Sequence, residues 1–420
     1  MSLSLDADWL AALGEDAPLL IRAQSAFARV GGTPAHIGVA VSGGSDSMAM
    51  LHLMARAASH TAWNLRAVTV DHGLRPEAAE EAAFVAQACV DLGLPHDVLV
   101  WDHGAIDGNL MQAASRARYA LMADWAVGLG IAQVTLAHTA DDQAETFLMG
   151  LSRAAGLDGL TGMRQHWTEA GVTFCRPFLH QTRAELRGFL TRHGLSWVDD
   201  PTNDNDRFTR VKARRALKAL KPLGITVDRL SSVIHNLAMA QGALHDAVAR
   251  AGAEGVTETA GSLRFGPGAL GGPEVQRRLL IAMIAWIGGN PHPPRESKIA
   301  ALRLAVLQER DATLGGVRIR WKEGTCTVSR EARAVGGPVP AGHLWDGRWQ
   351  VSAASGEISA LGAAGLRQCP DWRALGLPRQ VLEVTPAVWQ ADRLIAAPCA
   401  GVGAATATTR PGFHAFLLSH

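Results

Sequence analysis

Ser42-Gly43-Gly44-Ser45-Asp46-Ser47 packs two glycines, three serines and a carboxylate between an apolar run, Ile37 to Val41, and a helix-like stretch, Met48 to Ala58. Glycine lets the backbone take positive φ and approach an anion closely, serine adds hydroxyl donors, and the next helix presents unpaired N–H groups at its positive end. Strand, Gly-Ser turn, Asp and helix in this order predict a turn that holds a nucleotide's phosphates, rather than an ordinary loop. There is no lysine of the G-x-x-x-x-G-K-S/T kind, and no G-x-G-x-x-G follows a strand, so neither of those fingerprints applies.

A second cluster lies in Leu136-Ala137-His138-Thr139-Ala140-Asp141-Asp142-Gln143-Ala144-Glu145. Asp142 and Glu145, three apart, share a helix face, and His138 stands at the strand end before that helix. Such a pocket suits an ammonium group or Mg2+; one His with carboxylates lacks the soft ligands of a zinc site. Asp141 reads equally well as a helix cap. Val70-Asp71-His72-Gly73-Leu74-Arg75 places Asp71 and His72 past another strand, either as a turn satisfying its own backbone or as a nucleotide contact. Arg116 and Arg118 precede Tyr119, the only tyrosine, on a helix beginning near Asn109, and each faces either the same rim or solvent. From Arg207 to Lys221 there are seven basic residues and no acidic one, a footprint for nucleic-acid phosphates or the solvated face of an amphipathic helix.

The elements that must position these groups alternate. Ile37–Val41, Leu65–Val70, Asp97–Trp101 and Gln133–Ala137 read as strands with helices between them, which predicts an α/β fold with a doubly wound parallel sheet, its ligands beyond the carboxyl ends of the strands. All the polar clusters before residue 150 fall just past strand ends or on the helices beside them. Residues 1–222 are expected to form this domain and 223–312 a helical middle domain, from Val227 to Arg250, Gly272 to Ile287 and Ser297 to Gln308 around a glycine-rich stretch, Gly252 to Gly272. Short β-like pieces (Gly316–Trp321, Cys326–Val328, Arg348–Ser352) predict a small α+β C-terminal domain over 313–420. In 420 residues, 48% apolar and 19% charged, no run of about 18 apolar residues suggests a membrane span. Asp6 and Asp8 without Lys or Arg in the first ten residues are wrong for a targeting signal, so a cytoplasmic location is expected. Five scattered cysteines argue against a disulfide framework and against a C-x-x-C metal or redox site. A net charge of +1 leaves any nucleic-acid signal to the local basic run.

Together these segments resemble the bacterial tRNA(Ile)-lysidine synthetases, members of the N-type ATP pyrophosphatases that share the SGGxDS pyrophosphate (PP) loop. The likeness runs through SGGSDS, VDHGLR, the A-x-x-x-R-Y helix at Ala114–Tyr119, the stretch Ala137–Met163, RPFL at Arg176–Leu179, WVDDPTN, and R-x-x-x-R at Arg210–Arg214. Val211 stands where the family usually has Asn, and Ser115 where an arginine is common, which leaves Arg118 the better match for the active-site arginine, with Arg116 the alternative. The resemblance implies ligation of free L-lysine to C2 of the wobble cytidine in the CAU anticodon of tRNA(Ile), through an adenylated cytidine, with release of pyrophosphate and AMP. It implies ATP on Ser42 to Ser47 with Asp71 and His72, Mg2+ on Asp46, and Asp46, Arg118, His138, Asp142, Glu145 and Arg210 as catalytic groups. For tRNA it implies Arg207, Lys212, Arg214, Arg215 and Lys218. A homodimer is left open. Two rival readings are a tRNA-thiolating relative, which would need paired or cluster-binding cysteines, and a non-catalytic tRNA-binding relative, which would have no use for an intact Asp46 and acidic pocket.

Overall fold

The computed structural model describes residues 14–28, 36–61, 63–73, 77–104, 110–199, 209–290 and 293–419. The chain divides into two compact units, Met1–Gln241 and Gly242–His420.

In the first unit the apolar runs form a six-stranded sheet in the order β3-β2-β1-β4-β6-β5, with β1 His36–Ala40, β2 Asn64–Asp71, β3 His96–Val100, β4 Gln133–Thr135, β5 His166–Glu169 and β6 Val172–Cys175. Every pairing is parallel except β5 with β6, a hairpin whose turn residues Ala170 and Gly171 both take positive φ. The doubly wound expectation holds, with this antiparallel edge added; a four-residue strand leaves too short a pattern to announce itself. Helices cover both faces: α1 Ala17–Ala28, α2 Ser45–Ala58, α3 Ala78–Asp91, α4 Leu110–Gly128, α5 Ala140–Leu151, α6 Arg183–Arg192 and α7 Thr209–Leu220. Leu20, Ile37, Val39, Met48, Leu51, Phe178 and Phe189 pack one buried core, and Val68, Met122, Ala126, Val134 and Phe174 another.

Strand order reverses between β1 and β4. From β1 the sheet proceeds to β2 and β3 on one side and to β4 and β6 on the other, so the loops leaving β1 and β4 diverge and open a crevice at the carboxyl ends. Ala144 and Phe147 of α5 pack with Leu217 of α7 and with Leu230 and Ile234 of α8, Val227–Gly255, which brings the basic helix against the acidic one.

The second unit holds a five-stranded antiparallel sheet, β7-β8-β11-β10-β9. Its strands are β7 Thr257–Thr259, β8 Ser262–Phe265, β9 Ala312–Leu314, β10 Val317–Lys322 and β11 Thr325–Arg330. Helices α9 Pro273–Gly288 and α10 Glu296–Leu307 bury Leu280, Met283, Ile284, Ile287 and Leu302 with Leu263, Phe265, Ile319 and Val328. The stretch read as a glycine-rich break carries the β7–β8 hairpin, and this sheet takes strands from both sides of residue 312. Smaller sheets follow: β12 Val339–Pro340, β14 Glu357–Ala360, β15 Pro386–Gln390 and β16 Arg393–Ala396 in one, β13 Trp349–Ser352 with β17 Thr406–Thr409 in the other. The last helix, α11 Phe413–Leu418, returns to the core of the five-stranded sheet, where Phe413 is fully buried 5.5 Å from Trp286. Among the described residues no helix is long and apolar enough to cross a membrane.

Candidate active site

The Gly-Ser turn follows β1 and leads straight into α2. Gly43 sits at φ +84°, a backbone that disfavours any side chain, and its carbonyl accepts the Val198 N–H at 2.9 Å. Ser47, buried, braces the turn: its Oγ accepts the Ser42 N–H (3.1 Å) and donates to the Gly44 carbonyl (3.0 Å). Its hydroxyl is thus committed inside the loop and also lies 3.2 Å from the Ser42 Oγ, and of the two serines only Ser42 is exposed. Gly44 caps α2 with no side-chain acceptor, while α5 and α6 both begin with complete capping boxes. The first N–H groups of α2 therefore lack the internal acceptor that its neighbours have, which suits an anion. Ser45 is tied to α6, its Oγ accepting Arg187 Nε at 3.1 Å.

Across the crevice, Thr139 caps α5, and its N–H and Oγ1–H both donate to Asp142 Oδ2 at 2.9 Å. Glu145, a turn further, is 1% exposed; its Oε1 accepts Arg214 Nε at 3.0 Å and its Oε2 is buried without a partner. Arg183, the first residue of α6, joins the two sides. Its Nε donates to Asp46 Oδ2 (2.9 Å), Nη2 lies 3.5 Å from Asp142 Oδ1, and Nη1 lies 3.7 Å from Glu145 Oε1. Its backbone N–H donates to Asp141 Oδ2 at 2.7 Å, so Asp141 acts as a connector between α5 and α6.

Charge at this point is unevenly shared. Burial raises the Glu145 carboxyl against the pull of Arg214, and burial likewise raises Asp46 against Arg183. Burial also works on Asp142, but Arg183, His138 and the Thr139 N–H outweigh it and hold that carboxyl below its ordinary range. Two guanidinium groups, Arg183 and Arg214, serve three carboxylates and leave negative charge to spare.

His138 is held neutral in this setting. Burial first, then Arg176, pushes it down to about 3, and Arg176 Nε donates to its Nδ1 at 3.0 Å. That bond assigns the proton of the neutral ring to Nε2, so the imidazole presents an N–H. Arg176 follows β6, stacks 4.1 Å over the Trp167 ring and reaches the Tyr119 hydroxyl. Arg118 is half-buried with an unpartnered Nε and its charge acts on both His72 and His138, whereas Arg116 is exposed. Of the two arginines, Arg118 is the one brought beside these histidines.

Asp71 is used as a turn: its Oδ1 accepts the Gly73 N–H at 2.8 Å. His72 keeps an unpartnered Nδ1 and stands edge-on to Trp101. In α7, Arg210 is exposed yet its charge acts on His138 and Asp142, while Lys212, Arg215 and Lys218 are exposed. Arg214, expected among the tRNA contacts, instead turns inward to Glu145, because Val211 and Ala213 are the buried residues of α7 and draw that side toward α5. Arg207 lies outside the described residues.

Sequence reasoning gave no role to Arg176, Arg183 and Arg187. A signal existed for Arg183: a cation in the first turn of a helix opposes the macrodipole and asks for carboxylates from elsewhere. As for a divalent ion, the described residues offer no group of three ligands. Asp46 fits: among the described residues its Oδ1 meets a long 3.4 Å contact from Ser45, so it would serve Mg2+ as one ligand beside phosphates and water.

The PP-loop domain family matches residues 20–220. The tRNA(Ile)-lysidine synthase of Ruegeria pomeroyi is 44% identical over 403 residues, 92% of this chain and 95% of that one. That of Hyphomonas neptunium is 38% identical over 319 residues, 73% of this chain and 83% of the relative. Among solved structures, the U34-tRNA thiolase NcsA of Methanococcus maripaludis with its 4Fe–4S cluster aligns over 55% of this chain and 80% of that one, at 13% identity and a TM-score of 0.46. Since the likeness to lysidine synthases extends over nearly the whole of both chains and includes the loop and the acidic helix described above, this chain belongs to the tRNA(Ile)-lysidine synthase family.

Proposed function

We propose that the protein ligates L-lysine to C2 of the wobble cytidine of tRNA(Ile) with a CAU anticodon, using ATP, and that the two sides of the crevice divide the work. The observation that carries this is the span of Arg183: one guanidinium touches the phosphate loop at Asp46 and the acidic helix at Asp142 and Glu145, so a nucleotide and an amine would meet within a side chain's length.

In the first half-reaction the cytidine O2 attacks the α-phosphate and pyrophosphate leaves. The N–H groups opening α2 and the Ser42 hydroxyl face the phosphates, and Arg118 and Arg210 offer positive charge where it develops. Mg2+ held by Asp46 would neutralise charge on the phosphates. The cytidine has to leave its stack to be reached. In the second half-reaction the ε-amine of lysine attacks C2 and AMP departs. Asp142, held ionised by its cap and by Arg183, anchors the cation. Glu145, with a raised carboxyl and an open Oε2, is the better proton acceptor. His138 contributes an N–H to an oxygen of the base or phosphate rather than taking a proton. The cysteines nearest this domain's core, Cys89 and Cys175, are buried thiols pushed up to about 11 and about 12 by burial, poor nucleophiles for sulfur delivery.

Release of pyrophosphate from ATP, followed with and without lysine and unmodified tRNA(Ile), tests this directly. Pyrophosphate should appear only with tRNA present, and labelled lysine should then enter the tRNA. Release that needs no tRNA, or tRNA that gains sulfur instead of lysine, overturns the reading.

A further inference from the structure

The carboxylates that would select lysine are already engaged. Arg183 reaches Asp142 and Glu145 from α6, Arg214 holds Glu145 from α7, and Glu145 is 1% exposed. Two like charges cannot share one small, poorly solvated pocket, so a substrate ammonium reaches these carboxylates only as the guanidinium leaves. Arg183 is suited to leave. Its contacts with the acidic helix are long, 3.5 and 3.7 Å, against 2.9 Å to Asp46, and its place in the first turn of α6 is electrostatically unfavourable without carboxylate partners.

We propose that Arg183 is the resident counter-ion of the lysine site, exchanged for the substrate's ammonium at Asp142 and Glu145, and that the same movement frees Asp46 beside the phosphate loop, so that lysine and ATP bind cooperatively. This rests on the reading of Asp142 and Glu145 as the lysine pocket. Arg183 is then neither a passive ion pair nor a group in the chemistry. Together with Arg214 on Glu145 it offsets part of the charge of three acidic side chains while the crevice is empty, and it links the two substrates because one guanidinium serves both their sites. By linkage, whatever factor nucleotide adds to lysine affinity, lysine adds to nucleotide affinity.

The test is binding of labelled lysine to the full chain by equilibrium dialysis, with and without Mg2+ and an ATP analogue bearing a methylene between its α- and β-phosphates. In the unaltered protein the analogue should tighten lysine about tenfold. In Arg183→Gln, lysine should bind the nucleotide-free protein as tightly as the unaltered protein binds it with analogue, and the analogue should add nothing. Arg183→Lys, which keeps the charge but cannot span the three carboxylates, should lose most of the coupling and decides the matter if the Gln variant fails to fold. Absence of coupling in the unaltered protein, or full coupling in the Arg183 variants, overturns the exchange. Glu145→Gln separates the two readings: if it leaves lysine affinity untouched the pocket itself is wrong, and if it weakens lysine while the Arg183 variants stay coupled, only the exchange is wrong.

Discussion

His138 is the residue whose environment makes the sharpest demand on solution conditions. In the folded protein it stays neutral down to about pH 3, because burial and then Arg176 oppose its charge, while in the unfolded chain it titrates near 6.5. Between those values the unfolded state binds the extra proton, so the stability that neutral His138 contributes is complete above pH 6.5 and is lost as pH falls toward 3. Urea melts at pH 7 and pH 5 should show a loss on the order of 2 kcal/mol that is absent in His138→Asn, whose amide oxygen can still accept from Arg176; an equal loss in both proteins would mean that the ring is charged when folded. Glu145 makes a demand on chemistry instead. Glu145→Gln removes an anion that faces two arginines, and losing one partner of a desolvated ion pair costs about 3–5 kcal/mol, so the lysine KM should rise by two orders of magnitude or more while that for ATP moves little. Steady-state kinetics with each substrate varied in turn checks this. The individual side chains of the loop and of α5 were legible in the sequence because their chemistry is local: glycines for positive φ, hydroxyls, and carboxylates three apart. Arg183 was not, since it meets Asp46 across 137 positions of sequence, and only the folding of α6 onto the strand ends brings them together.

Among elements, α7 has two faces with different work. Its buried side, Val211, Ala213 and the half-buried Leu217, lies toward α5 and carries Arg214 to Glu145, while Lys212, Arg215 and Lys218 stay on the exposed side. Replacing those three with Ala should weaken tRNA binding and flatten its dependence on salt by roughly 0.7–0.9 log units per lost phosphate contact, with ATP affinity unchanged. Titration of tRNA at several ionic strengths reads this, and an unchanged slope would make the exposed face merely solvated. Arg214 is kept out of that set because its loss would strand Glu145 and confuse the two effects. The sequence showed α7 as a basic run and gave its amphipathic character, yet which arginine turned inward depended on what packed against it. The long helices and the four strands that alternate with them were plain from their apolar patterns. The hairpins β5–β6 and β7–β8 were not, because strands of three or four residues give no periodicity to read.

At the scale of the whole chain, the second unit depends on a segment far from the rest of its core in sequence. Phe413 is fully buried among Trp286, Leu280 and Phe265, its N–H donates to Glu258 Oε2 at 2.8 Å, and Trp286 Nε1 donates to the Pro411 carbonyl at 2.9 Å. Phe413→Ala should cost that unit about 3–5 kcal/mol. Hydrogen exchange would then quicken across β8 and α9 while β1, β2 and the phosphate loop keep their protection; uniform loosening of both units would refute their separate stability. The position of α11 also orders events in time. On a translating ribosome the first unit has its sheet and both clusters of the crevice complete once about residue 241 is made, but the core around Trp286 stays open until Phe413 arrives. At roughly 5–20 residues per second that interval is about 10–35 s, long enough for the exposed faces of α9 and the β8 strand to need shelter from other nascent chains. The chain therefore gains its ATP-binding half early and its second half last, and the slow, aggregation-prone part of its biosynthesis is expected to lie wholly in the second.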